Sequence, residues 1–87
     1  MSGADALRVI TLAAQAEMAL VRRDAVAGPL LSQAARAAEG MPSGPLLAQA
    51  AALVRGEAGR EAIRQAALSL CRMALQEAQA EALGAAP

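Results

Sequence analysis

The chain has 87 residues, balances eight arginines against eight acids, and contains no lysine, histidine, phenylalanine, tryptophan or tyrosine. A chain of that length forms one small domain, burying about 60–65% of the surface its unfolded form exposes. Zero net charge creates no field toward nucleic acid, the missing aromatics remove base-stacking platforms, and proton transfer near neutral pH is left to carboxylates and one thiol.

Ser2-Gly3-Ala4-Asp5 has the form of a capping box, so a first helix is expected over residues 3–27. Projected at about 100° per residue, Arg8, Thr11, Gln15 and Arg22 share a polar stripe. Val9, Ala13, Ala16 and Leu20 join Leu7, Ile10, Ala14 and Val21 on a broad apolar face. Glu17 and Asp24 project into that apolar face, where a lone carboxylate is costly. Two readings stay open: a wet margin with pairing to Arg22 or Arg23, or a polar contact that sets register against a partner helix. Ala14-Gln15-Ala16 mimics a signal-peptidase site, but Asp5 spoils the positive region before it, and no cleaved signal is expected.

A phrase then appears twice. Gly28-Pro29-Leu30-Leu31-Ser32-Gln33-Ala34-Ala35 returns as Gly44-Pro45-Leu46-Leu47-Ala48-Gln49-Ala50-Ala51, and the copies run on to Gly40 and Gly56. Each copy reads as one short helix, with proline in the first turn, where its missing N–H loses nothing, and a stopping glycine at the end. Gly28-Pro29 ends or kinks the helix before it. Between the copies, Gly40-Met41-Pro42-Ser43-Gly44-Pro45 is the main turn cluster, which puts the reversal of the chain at residues 40–45.

Arg55-Gly56-Glu57-Ala58-Gly59-Arg60-Glu61 reads as a break before a last helix over residues 60–83. In that helix Ile63, Ala67, Leu70, Cys71, Ala74, Leu75, Ala78 and Ala82 follow core-facing spacing, opposite Gln65, Ser69, Arg72, Gln76 and Gln79. Glu77 and Glu81 lie one turn apart near the negative end of the helix dipole, which predicts fraying or a basic partner. Gly84 ends the helix and residues 84–87 form a tail.

Cys71 has no imidazole to activate it and falls on the apolar stripe, so it reads as a buried inert thiol rather than a nucleophile. One cysteine demands no oxidising compartment. Four-ligand zinc sites lack their His and Cys, and Gly-Pro-Leu-Leu lacks the Gly-Lys pair of a phosphate cradle. No enzyme activity, cofactor or metal is expected. The longest uncharged run, Gly40 to Val54, is too short for a membrane span and holds two prolines. Met18 and Met73 read as core fillers, and Met41 as an exposed turn residue equally suited to a contact.

Pro42-Ser43-Gly44-Pro45-Leu46-Leu47-Ala48 resembles the mid-chain loop of type III secretion needle and inner-rod subunits. The resemblance implies a helical hairpin that polymerises into a hollow filament, kept soluble beforehand by chaperones. A looser resemblance lays Leu20 to Pro42, with Ala27 and Ala35 as small packing residues, against the back half of a tetratricopeptide unit. It implies a secretion cochaperone rather than a filament.

The expected fold is all-α, a single-domain helical hairpin or small helical bundle in which two long amphipathic helices are joined by two short ones. Twelve leucines and many alanines make a thin core, so the isolated monomer should be marginal and relieved by association. The Leu7, Ile10 and Val21 face should meet the Ile63, Leu70, Cys71 and Leu75 stripe. The expected interface residues are Leu30, Leu31, Met41, Leu46, Leu47, Ile63, Leu70 and Leu75, docking a protein partner or another copy. The resulting expectation is a non-catalytic assembly subunit, of a secretion apparatus if the first resemblance holds. The alternatives are a non-polymerising adaptor or cochaperone and an amphipathic lipid-surface binder, the last disfavoured because the polar faces are not arginine-rich overall and tryptophan is absent. The expected location is the cytoplasm, or outside the cell by export without a cleaved signal.

Overall fold

Alanine has the highest helix propensity of any residue and leucine follows closely, so long stretches of this chain favour helix before any packing occurs. A computed structural model describes residues 3–57 and 60–84. It contains α1 (Gly3–Val21), α2 (Ala27–Ala37), α3 (Ser43–Glu57) and α4 (Glu61–Gly84), and no strand among the described residues. The all-helical class is as read from the sequence. Consecutive helices pack on one another and α1 closes against α4, making a ring of four. Cys71 bonds to Ala13 and Arg64 to Leu20, so α1 and α4 run antiparallel. The molecule measures 43 × 20 × 17 Å. Its radius of gyration, 12.0 Å, equals the roughly 12 Å expected for a compact chain of this length.

Each helix contributes mostly methyl groups to the core. Ala6, Val9, Ala13, Ala16 and Leu20 of α1 face Ala67, Leu68, Cys71, Ala74 and Ala78 of α4, while Leu31 of α2 and Leu47 of α3 fill the space between. Small side chains let helix axes approach toward the short end of the roughly 8–10 Å range, which compensates for the missing aromatics with close backbone contact.

Two helix ends differ from the sequence reading. The first helix stops at Val21, not Ala27. Arg23 takes the left-handed conformation, φ 57°, its N–H donates to the Leu20 carbonyl, and the Asp24 N–H donates to the Ala19 carbonyl. That pair of bonds is a Schellman ending with arginine in the place usually given to glycine. The Asp24 carboxylate then accepts the Val26 N–H at 3.0 Å and turns the chain into α2. Asp24 therefore never projects into an apolar helix face. Gly28-Pro29 lies inside the first turn of α2, and Gly40, φ 81°, follows its end as expected. Gly56 does not stop its helix, for α3 continues to Glu57. The expected Ser2 cap, the Ala58-Gly59 part of the break and residues 85–87 of the tail lie outside the described residues.

The core occupies only one sector of the broad apolar face of α1. Leu7 and Val21, expected inside, are 59% and 52% exposed, and Ile10 is half-buried. Met18 and Met73, expected as core fillers, are half exposed, whereas Met41, expected in an open turn, is buried. The closure of α2 onto α3 folds Met41 inward, and the positions of α2 and α4 decide which sector of α1 is covered.

Candidate interaction surface

The eight residues singled out from the sequence do not form one surface. Leu31 and Leu47 are wholly buried and Met41 nearly so, all three consumed by the molecule's own core. Leu30, Leu46, Ile63, Leu70 and Leu75 are half-buried along the seams between helices. Leu70 shares a shallow groove with Leu53 and Ala52 on the α3–α4 side. Leu30 lies on the opposite side, beside α1.

The polar residues that stood out in the sequence clamp the bundle. Glu17 meets Arg72 of α4 at 2.8 Å, a register contact within the chain rather than a pairing with Arg22 or Arg23. Glu81 accepts the backbone N–H of Ser43 at 3.0 Å and its hydroxyl at 3.3 Å. It thus caps the N-terminus of α3 from another helix, where a negative charge also suits the dipole. At the other end Arg64 donates to the Leu20 carbonyl at 3.0 Å and forks onto the Glu61 carboxylate, which also accepts from Arg23. The hydrogen bonds from Arg64 hold the Glu61 carboxyl down to about 2. These groups edge a cleft of about 300 Å³ whose apolar wall is Leu20, Ala27 and Val54. Arg64 is engaged on three of its nitrogens, so the cluster fastens the end of α1 to the start of α4.

Cys71 is fully buried, with its thiol donating to the Ala13 carbonyl at 3.3 Å. Burial first, and then the Glu17 carboxylate, push its pKa up to about 11. A thiol so placed is protonated and shielded, which suits packing rather than nucleophilic chemistry.

Among the described residues Met73 and Leu83 of α4 are also exposed, but three large apolar side chains share the outer face of α1. Leu7, Met18 and Val21 are each at least half exposed there. Met18 and Ala14 continue into a shallow groove with Val26 and Leu30 of the α1–α2 corner. Hydropathy alone could not single out this face, because Leu7 and Val21 look like core residues until the neighbouring helices are placed. Comparison with protein-family models, curated proteins and solved structures returns no match.

Proposed function

We propose that the protein is a non-catalytic helical interaction subunit that docks a protein through the outer face of α1. The observation that carries this reading is the exposure of Leu7, Met18, Val21 and Val26, at 49–59%, on a bundle that fills its core without them. An exposed apolar patch of this kind marks an interaction site when it is contiguous and rimmed by polar groups, here Arg22 and Gln15. The buried thiol and the lack of histidine, lysine and tyrosine support a role without catalysis. The loop resemblance to needle subunits supports an assembly subunit of a secretion apparatus. The burial of Leu31, Met41 and Leu47 favours the adaptor or cochaperone reading instead, because an open filament requires two different complementary patches and these residues supply neither.

The test compares the wild-type chain with Met18→Glu for capture of binding proteins from the cells that express it, with far-UV circular dichroism as the control for folding. Loss of capture with helicity intact supports the reading. Capture that survives the substitution refutes the assignment of α1 as the docking face.

A further inference from the structure

A cleft opens at the end of the bundle where α1 finishes and α4 begins, apart from the docking face of α1. We infer that it is a binding site for a small anionic amphiphile, a carboxylate borne on a short aliphatic chain. Its wall is Leu20, Ala27 and Val54, and its rim is Arg23, Asp24, Glu61 and Arg64. At about 300 Å³ it lies at the small end of the roughly 300–1,000 Å³ of small-molecule sites, and like them it sets a few polar groups around an apolar wall.

Charge decides the sign of the ligand. Glu61 and Arg64 neutralise one another, for Arg64 forks onto both carboxylate oxygens and is only 12% exposed. The Asp24 carboxylate already accepts the Val26 N–H at 3.0 Å. Arg23 is held far more loosely: it reaches Glu61 through Nη2, at 3.3 and 3.4 Å, with its side chain 69% exposed. An exposed pair of that length contributes little, so an entering carboxylate takes the Arg23 guanidinium without unseating Arg64. The surroundings have the same sign. Although the whole chain is neutral, residues 20–28 and 53–64, which meet at this end, hold five arginines against three acids.

The backbone supplies an independent pointer. Among the described residues Arg23 is the one non-glycine residue with positive φ, 57°, at a helix ending where glycine fits without strain. Strain of this kind gathers at ligand clamps. Arginine there holds a guanidinium at the cleft, at a cost to the fold that glycine would avoid. The aliphatic chain of the ligand lies against Leu20, Ala27 and Val54, which it shields from water.

Calorimetric titration of the full chain with sodium octanoate, below the concentration at which it forms micelles, tests this, with methyl NMR to locate the ligand. Octanoate should bind one per chain and shift the methyl signals of Leu20 and Val54. Octylamine and octanol should bind at least about tenfold more weakly, because neither makes the charge-assisted hydrogen bond to Arg23. Affinity should fall about threefold to fourfold for each methylene removed between octanoate and butanoate. Arg23→Gly and Arg23→Gln should each weaken octanoate at least about tenfold with helicity intact by circular dichroism, the first relieving the backbone strain and the second keeping it. Equal binding of octanoate and octylamine overturns the proposal, as does octanoate binding that either variant leaves unchanged. Shifts confined to Leu7, Met18 and Val21 also overturn it, because the ligand then coats the outer face of α1. Absence of both heat and shifts overturns it too and leaves the docking face untouched, since that reading is judged by capture with Met18→Glu.

Discussion

Arg23 occupies a backbone conformation that L-residues with a Cβ adopt at a cost of roughly 1–2 kcal/mol, and it does so because the Schellman bonds at the end of α1 need a left-handed residue there. Its side chain recovers little, since the pair with Glu61 is exposed on both sides. Arg23→Gly should therefore stabilise the fold by about 0.5–1 kcal/mol, seen as a rise of about 3–6 °C in the thermal midpoint. A midpoint that falls would show that the Glu61 contact outweighs the backbone relief. The repeated glycines show a second contrast at this scale. A Cβ on Gly44 would sit 2.6 Å from the Ala38 carbonyl oxygen, one on Gly28 would make ordinary contact with Val54, and one on Gly56 would meet nothing. Gly44→Ala should cost about 1–3 kcal/mol in chemical denaturation, while Gly56→Ala, inside α3, should gain about 0.5–1 kcal/mol. Equal effects at the two positions would refute the close approach of α3 to the end of α2. The repeat was legible in the sequence, but the inequality of its glycines was not, because it depends on which backbone each one meets.

Among the elements, α4 holds the others in register. Near its start Arg64 caps the Leu20 carbonyl of α1, in its middle Cys71 and Arg72 meet Ala13 and Glu17, and near its end Glu81 caps α3. At the two helix ends, Arg64 supplies the donor that the last carbonyls of α1 lack and Glu81 the acceptor that the first N–H of α3 lacks. The adjacency of Glu77 and Glu81 predicted fraying or a basic partner, yet Glu81 is used inside the molecule and Glu77 is exposed. Glu81→Ala leaves the buried Ser43 hydroxyl and the first N–H of α3 without this acceptor, and should cost about 1–2 kcal/mol. Glu77→Gln should be neutral or slightly stabilising by the same denaturation assay. If both substitutions act alike, the cap contributes nothing and repulsion at the helix end dominates. Local spacing showed where Glu81 sits on its own helix; its partner is 38 residues away in sequence and comes within reach only when α3 and α4 pack.

For the molecule as a whole, a core made largely of alanine gives many shallow contacts and no dominant anchor, and polar groups fasten its two ends, the Arg23–Glu61 side being exposed and screened by solvent. Acid probes the Glu61 end directly. The Glu61 carboxyl lies at about 2 against an ordinary value of 4.5, chiefly through hydrogen bonds from Arg64. A carboxyl depressed by folding stabilises the folded state fully above the unfolded value, and that contribution fades as pH drops from about 4.5 toward 2. Thermal melts of wild type and Glu61→Gln should therefore differ at pH 6 and converge by about pH 2. A difference that persists unchanged at low pH would assign the effect of the substitution to packing rather than ionisation.

Local sequence is enough to make the chain helical, to put Gly28-Pro29 and Gly44-Pro45 in first helical turns, to turn the chain at Gly40, and to point Cys71 and Ala74 inward. These follow from propensity, proline and glycine geometry and a 3.6-residue period, all of which act within one or two turns. Tertiary structure alone decided that α1 ends at Val21, that Met41 is buried and Met18 is not, and that Glu17, Glu61 and Glu81 serve as clamps. The physical reason is common to all of them. An apolar face wider than the neighbours that cover it leaves a remainder, and only the placement of those neighbours tells which residues belong to the core and which stay on the outside of α1.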